Sequence, residues 1–222
     1  MVAADQLRAE GWALVATSAA TDLLQELRST IFAVGSAGTR CLLDLPLVRG
    51  VAVALKAELI SKEILPATSV AVQAIAFDKT PDTNWKVAWH QDLMFPFARA
   101  VTAPGYDLPS KKAGVDFARP PVRVLDELLA VRLHLDDCDA SNGPLRICPQ
   151  SHAEGLIHSG QCALRAAKDG ETICIAREGE AILMRPLLLH ASSQAIEPKH
   201  RRVLHLVYHS GAAMEEAWHR AI

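Results

Sequence analysis

In the stretch NWKVAWHQDLMFPF, residues 84–97, a histidine and an aspartate stand two positions apart, at His90 and Asp92. Side chains alternate between the two faces of a β-strand, so residues at i and i+2 point to the same side. An imidazole and a carboxylate on one side of a strand can bind one metal ion. The pair stands at the predicted end of a strand and directly before a proline-rich segment, where the mouth of an active site is expected.

Two other pairs have the same spacing, His134-Leu-Asp136 and His152-Ala-Glu154. Nine histidines and 25 acidic residues in 222 positions make chance pairs of this kind expected, so at most one pair is taken as a site. His134 lies in LLAVRLHLDD, where one face is apolar and the other polar. That pattern favours a strand with a solvated or hydrogen-bonded side over a metal ligand. His152 lies in CPQSHAEG, a predicted turn in which a structural role is favoured.

A second histidine from a neighbouring strand would complete the 2-His-1-carboxylate triad of non-haem Fe(II) oxygenases. Near the C-terminus one predicted strand ends at His190, and another, RRVLHLVYH, begins at Arg201. Alternation places Arg201 on one face and Arg202 on the other, together with the apolar Leu204, Leu206 and Tyr208. If the apolar set packs on helices, Arg201 points into the barrel, where its guanidinium suits a carboxylate. The alternative is that the two arginines form an exposed basic pair.

The hydrophobic pattern predicts helices first and strands afterwards. Helices are expected over residues 22–31, with Thr21 or Asp22 as N-cap, and from Pro46 to a point before Pro66. Beyond Thr68 the pattern alternates, which predicts strands over residues 69–77, 86–93, 128–136, 145–148, 172–177, 181–190 and 201–209. Several short strands after a helical block predict a mainly β fold, a barrel or sandwich flanked by α-helices.

The chain length is typical of one domain, spanning residues 1–222. We expect a helical layer mainly over residues 1–65 and a barrel over residues 68–210. Between Pro96 and Pro121 lie five of the twelve prolines, and this segment is expected to lack regular structure. Residues 95–121, including Phe97 and Tyr106, are therefore the predicted substrate lid.

Composition and sequence pattern limit the binding partners and the cellular location that are expected for the protein. A formal charge of −2 gives no reason to expect nucleic acid or an anionic membrane surface as a partner. No apolar run approaches the roughly 20 residues that span a bilayer, and the start lacks the pattern of a signal peptide. The five cysteines are odd in number and form no C-x-x-C pair. These features predict a cytoplasmic protein with reduced thiols, without a cysteine zinc site.

Six motifs together resemble the phytanoyl-CoA dioxygenase family of Fe(II)/2-oxoglutarate oxygenases. In chain order they are GWALV, AIAFDKTPD, WHQDLMFPF, SNGPLRICPQSH, AILMRPLLLHASS and HRRVLHLVYH. The resemblance covers roughly residues 10–210, and its most specific parts are WHQDLMFPF and the spacing of His190 from Arg201. It implies a double-stranded β-helix, a jelly-roll or cupin-like barrel with helices packed on one sheet.

The resemblance also assigns the site residues and the cofactors. It implies Fe(II) bound by His90, Asp92 and His190, with 2-oxoglutarate and dioxygen as cosubstrates. Arg201 corresponds to the family's arginine that pairs with the distal carboxylate of 2-oxoglutarate, and Ser192 matches a position that often holds the same carboxylate. Arg132 falls where the family places a residue lining the cosubstrate or substrate pocket, and we count it with the cofactor-binding residues.

The implied activity is oxidation of a C–H bond, with release of succinate and CO2. Retention of Asp92 favours hydroxylation over halogenation, because related halogenases lack this carboxylate. The short chain without a basic cluster favours a small metabolite over phytanoyl-CoA as substrate. Lys79 and Lys86 either steer an anionic group or are two exposed lysines. Two rival functions stay open, a cupin-like metalloenzyme that does not use 2-oxoglutarate and a catalytically silent small-molecule-binding barrel.

Overall fold

The structure is a computed structural model that describes residues 2–32 and 38–222. The helices are α1 (Ala3–Glu10), α2 (Thr21–Thr30), α3 (Pro46–Ser61), α4 (Val122–Leu125) and α5 (Cys162–Asp169). The strands are β1 (Trp12–Ala16), β2 (Gly38–Thr39), β3 (Val70–Lys79), β4 (Val87–His90), β5 (Phe95–Phe97), β6 (Asp107–Lys112), β7 (Val115–Arg119), β8 (Leu128–His134), β9 (Leu145–Ile147), β10 (Thr172–Cys174), β11 (Glu180–Met184), β12 (His190–Ser192) and β13 (Arg201–His209).

The two predicted N-terminal helices are confirmed as α2 and α3, but Thr21 and Asp22 lie inside α2, and the N-cap position belongs to Ala20. Pro46 occupies the first turn of α3, where its fixed φ fits the helix and its missing N–H leaves no bond unmade. The prediction that the first 65 residues are mainly helical does not include the strands β1 and β2. Both strands join a sheet by pairing with residues distant in the sequence. β1 pairs antiparallel with β11, and β2 pairs antiparallel with the end of β3.

The larger sheet has six strands in the order β1-β11-β8-β13-β3-β2. One of its faces packs on the helices, and the apolar face of β13 belongs to that core with Leu204, Leu206 and Tyr208. Tyr208 donates a hydrogen bond of 2.8 Å from its hydroxyl to the carbonyl of Ala52 in α3. The predicted direction of this apolar set is therefore confirmed, and the opposite face of β13 points away from the helices.

The second sheet has four strands in the order β10-β9-β12-β4 and lies over the other face of the larger sheet. Side chains from both sheets meet in one core, among them Leu145, Ile147, Ala130, Ile182 and Val207. The predicted mainly β fold with flanking helices, a double-stranded β-helix, is confirmed. The sheets of the described residues face each other without hydrogen bonding into one closed barrel.

A third sheet, in the order β5-β7-β6, occupies the segment that was expected to lack regular structure. That expectation is wrong, because the prolines sit where a sheet tolerates them: Pro96 in β5 and Pro109 in β6 are both on edge strands. Phe97, 1% exposed, stacks on Trp218 with ring centroids 4.9 Å apart and meets Tyr106 edge-on at 5.5 Å. That residues 95–121 form a substrate lid stays a prediction. Phe97 itself is buried and packs against Trp218, so it would fix one end of such a lid.

The predicted strand over residues 181–190 is also wrong in its second half. β11 ends at Met184, the chain turns at Pro186, and His190 begins β12 instead of ending a strand. A proline cannot donate to a ladder, so it interrupts the run even though Leu187–Leu189 are buried like strand residues. None of the described helices is both long and apolar enough to cross a bilayer.

Candidate metal centre and cavity

His90, Asp92 and His190, the three predicted ligands, come together at the edge of the second sheet. His90 in β4 is the direct cross-strand partner of His190 in β12, and their rings lie 4.1 Å apart. Asp92 follows β4, with its carboxylate oxygens 3.8 Å from His90 Nε2 and 3.7 Å from His190 Nε2. One donor atom from each residue lies within 4.8 Å of the other two, which is close enough for all three to bind one ion.

Backbone contacts orient the three ligands. The Nδ1 atoms of His90 and His190 lie 2.8 and 2.9 Å from the carbonyl oxygens of Ala88 and Leu188, so each Nδ1–H donates to a carbonyl. This tautomer leaves both Nε2 lone pairs directed at the space beside Asp92, as in metal sites with outer-shell support. The Asp92 N–H donates to the carbonyl of Pro186 at 2.9 Å, which fixes the chain after β4.

The protonation states of the site suit a divalent cation. Burial lowers the pKa of His190 to about 4, so its imidazole is neutral near pH 7. Burial alone would raise the pKa of Asp92, but His190, His205 and other neighbouring groups lower it to about 2. A metal site needs neutral imidazoles and an ionised carboxylate, and His190 and Asp92 meet this need. No lysine or arginine forms an ion pair with Asp92 among the described residues.

The triad opens into a cavity of about 160 Å³ between the two sheets. The apolar part of the wall comes from Ile75, Phe77, Trp85, Val87, Met94, Phe95, Leu145 and Ala191. The polar part comes from the triad with Gln73, Arg132, Ser192, Arg201 and His205. Of the predicted lid, only Phe95 belongs to this wall.

Arg201 points into the cavity, and the exposed-pair interpretation is wrong for both arginines. Arg201 is 4% exposed and donates through Nη1 to the carbonyl of Gly143, while its buried Nε has no partner. Arg202 faces the helices, and its guanidinium makes a two-pronged ion pair with Asp136 at 2.7 and 2.8 Å.

Comparison with known protein families gives a match over most of the chain. Residues 27–203 match phytanoyl-CoA dioxygenase (PhyH). The chain belongs to the phytanoyl-CoA dioxygenase family. No curated protein matches it.

Solved structures share the fold of this family member at low sequence identity. AviO1 from Streptomyces viridochromogenes is 18% identical, with 96% of each chain covered and a TM-score of 0.68. SnoK, a non-heme alpha ketoglutarate dependent carbocyclase from nogalamycin biosynthesis, is 12% identical, with 93% of this chain and 82% of SnoK covered and a TM-score of 0.66. EctD from S. alaskensis, solved with 2-oxoglutarate and 5-hydroxyectoine, is 17% identical, with 93% and 74% covered and a TM-score of 0.65.

Lys79 and Lys86 differ in environment within this phytanoyl-CoA dioxygenase relative. Lys86 is exposed, whereas Lys79 is 0% exposed and pairs across the strands with Arg201. Its Nζ donates to the carbonyl of Ser193 at 2.5 Å and lies 3.3 Å from Ser192 Oγ. Burial, with the nearby Arg201, lowers the pKa of Lys79 to about 8. Gly143, at φ +63°, allows this close packing, because a Cβ there would lie 2.8 Å from the Ser193 carbonyl oxygen.

The other two histidine–acid pairs of the family member are not metal sites. His134 is buried on the cavity side of β8, but Asp136 lies beyond the strand end and pairs with Arg202 and Arg28. The solvated alternative for His134 is therefore wrong, and burial lowers its pKa to about 3. Glu154 forms an ion pair with Arg165. Neither pair appears with a third ligand among the described residues.

His205 is a cavity residue that the sequence reading did not select. It is buried on the same face of β13 as Arg201, and its Nδ1 lies 3.2 Å from Nη1 of Arg132. Burial, with the nearby Arg132, lowers the pKa of His205 to about 3, so a neutral imidazole accepts this hydrogen bond. The alternation that points Arg201 inward also predicts His205 inward, four positions later.

Proposed function

We propose that the protein is an Fe(II)- and 2-oxoglutarate-dependent dioxygenase that hydroxylates a C–H bond of a small metabolite, with release of succinate and CO2. The observation that carries the proposal is one cavity that holds an oriented His-Asp-His triad and the unpaired donor of a buried arginine. Membership of the phytanoyl-CoA dioxygenase family supports it, as does the shared fold of SnoK and EctD.

The triad suits Fe(II) in its donors and in its arrangement. Two neutral imidazoles and one carboxylate are the ligand set of non-haem Fe(II) oxygenases, and they leave coordination positions open. His90, Asp92 and His190 would hold the metal at the cavity wall. When bound, the iron supplies the oxidising chemistry with 2-oxoglutarate and dioxygen. The protein contributes ligand orientation through the carbonyls of Ala88 and Leu188.

The opposite end of the cavity suits the distal carboxylate of 2-oxoglutarate. Arg201 would bind it through the Nε–H that has no partner in the protein, because a guanidinium fork matches two carboxylate oxygens. Ser192, two residues after His190 in β12, would donate its hydroxyl, and Lys79 holds that hydroxyl in place. Apolar walls of Ile75 and Val87 exclude water and strengthen these contacts.

The two rival functions explain less of the cavity. A cupin-like metalloenzyme that does not use 2-oxoglutarate would need the triad but would leave Arg201 without a function. Arg201 is a buried cation with no carboxylate ion pair among the described residues. A catalytically silent binding barrel would not explain the backbone contacts that orient both imidazoles. Hydroxylation as the outcome, a small metabolite as the substrate and a cytoplasmic location stay predictions.

One titration separates these functions. Fe(II) is added to the metal-free protein under anaerobic conditions, with and without 2-oxoglutarate. We expect a weak visible charge-transfer band only when both are present, and slow formation of succinate after oxygen is admitted. Metal binding that is indifferent to 2-oxoglutarate would favour the cupin-like enzyme. Tight 2-oxoglutarate binding without metal dependence would contradict the proposed oxygenase.

Lys79→Met should weaken 2-oxoglutarate binding about tenfold near pH 7, because hydrogen bonds to charged groups contribute about 1.5–3 kcal/mol. Lys79 has a pKa of about 8, so it carries its charge below that pH and loses it above. Wild-type affinity should therefore fall as the pH is raised through 8, and the variant should lose this step. The charge-transfer band measures both affinities. Lys86→Met, an exposed control, should behave as wild type, and an unchanged pH step in Lys79→Met would refute the role.

A further inference from the structure

Arg132 is a second buried arginine in the cavity, and the proposed reaction leaves it without a ligand. It lies on the inward face of β8, is 9% exposed and contacts His205, its cross-strand neighbour in β13. Its guanidinium lies 5.6 Å from the ring of Phe77. These contacts fix the position of the side chain but supply no negative charge.

No carboxylate pairs with Arg132 in the described part of the chain. Its buried Nε has no hydrogen-bond partner. Asp92, the one acid in the cavity wall, attracts Arg132 electrostatically but makes its ion contacts with His90 and His190. A buried arginine without an ion pair is costly and is expected only where a ligand supplies the missing charge. Arg132 therefore marks a place for an anion.

The buried charges around the cavity are mostly positive. Arg132, Arg201 and Lys79 are all buried, and Asp92 is the one acid of the cavity wall. A carboxylate on the substrate would supply negative charge at Arg132, and the flat guanidinium fork matches that group.

The strand register separates Arg132 from the end assigned to the distal carboxylate. Arg201 pairs with Lys79, whereas Arg132 pairs with His205, four residues further along β13. Four residues of strand separate the two backbone positions by about 13 Å, although the two guanidinium groups are near enough to repel each other. The cosubstrate end already holds Arg201, Ser192 and Lys79, so Arg132 is available to a different molecule.

We propose that Arg132 binds a carboxylate of the primary substrate, so that the enzyme acts on small organic acids. This inference rests on the proposed function, since it assigns the substrate class of the same site. Arg132 is thus a specificity-determining residue, supported by its contacts with His205 and Phe77.

The test uses Fe(II)- and 2-oxoglutarate-loaded protein under anaerobic conditions. Hexanoate, benzoate and 3-phenylpropanoate are titrated against their matching primary amides, and the shift of the charge-transfer band reports binding. In the wild type we expect the acids to bind on the order of tenfold more tightly than the amides. Arg132→Met keeps an unbranched stem beside Phe77 and should abolish that preference while changing the 2-oxoglutarate Kd less than about threefold. Arg99→Met, on an exposed arginine, is the matched control and should keep the preference.

Two results would overturn the inference. One is equal binding of acids and amides by the wild type. The other is a tenfold weaker 2-oxoglutarate complex in Arg132→Met, which would place Arg132 at the cosubstrate. A wild-type protein that forms no charge-transfer band fails the proposed function itself, which is a separate outcome.

Discussion

Asp92→Ala should abolish succinate formation and strongly weaken Fe(II) binding. The substitution removes one of three protein donors that lie within 4.8 Å of one another. Loss of a mere outer-shell partner typically weakens metal binding roughly 10- to 100-fold, and loss of a ligand should exceed that. Anaerobic Fe(II) titration gives the affinity, and 2-oxoglutarate consumption gives the activity. The fold should persist, because Asp92 borders the cavity and fills no apolar core.

The matched controls are Asp136→Ala and Glu154→Ala, which alter the other two histidine–acid pairs. Both should keep Fe(II) affinity within about twofold of wild type, a difference well under 1 kcal/mol. Asp136→Ala should lower the melting temperature, because it breaks ion pairs with Arg202 and Arg28. If Asp136→Ala lost iron and Asp92→Ala kept it, the metal site would have been assigned to the wrong strand.

The triad could be predicted from spacing, although part of the reasoning behind it does not hold. His90 is the last residue of β4, so strand alternation does not govern Asp92. The chain after β4 is instead held by the bond from the Asp92 N–H to the Pro186 carbonyl. That partner lies 94 positions away in the sequence, and no local pattern reveals such a contact.

Other misreadings share one physical cause, which is that tertiary pairing overrides local composition. The proline-rich segment forms a sheet because Pro96 and Pro109 fall on its edges, and edge status depends on which strand pairs with which. Lys79 is buried because β3 pairs with β13 beside Arg201. The signal for Lys79 was present in the sequence, since it shares strand parity with Ile75 and Phe77, both of which line the cavity.

Arg201→Ala should raise the KM for 2-oxoglutarate on the order of 30-fold or more, since loss of a charge-assisted hydrogen-bonded pair typically costs about 2–5 kcal/mol. The reason is geometric. Arg201 is buried in the cavity wall with a free Nε, and it sits beside Ser192 and Lys79 at the end assigned to the distal carboxylate. Fe(II) should still bind, because the triad keeps its donors and their carbonyl contacts. Initial rates at varied 2-oxoglutarate give the KM, and metal titration gives the iron affinity.

Arg202→Ala is the adjacent control, because it removes the same side chain from the opposite face of β13. Its guanidinium pairs with Asp136 against the helices, away from the cavity. The pair is partly buried, so its loss should cost between the roughly 1 kcal/mol of an exposed pair and the 3–5 kcal/mol of a fully buried one. The melting temperature should therefore fall while the KM stays near the wild-type value. The reverse pattern, with Arg202 controlling KM and Arg201 only stability, would mean that β13 is shifted by one residue, since a shift of one exchanges the two faces of a strand.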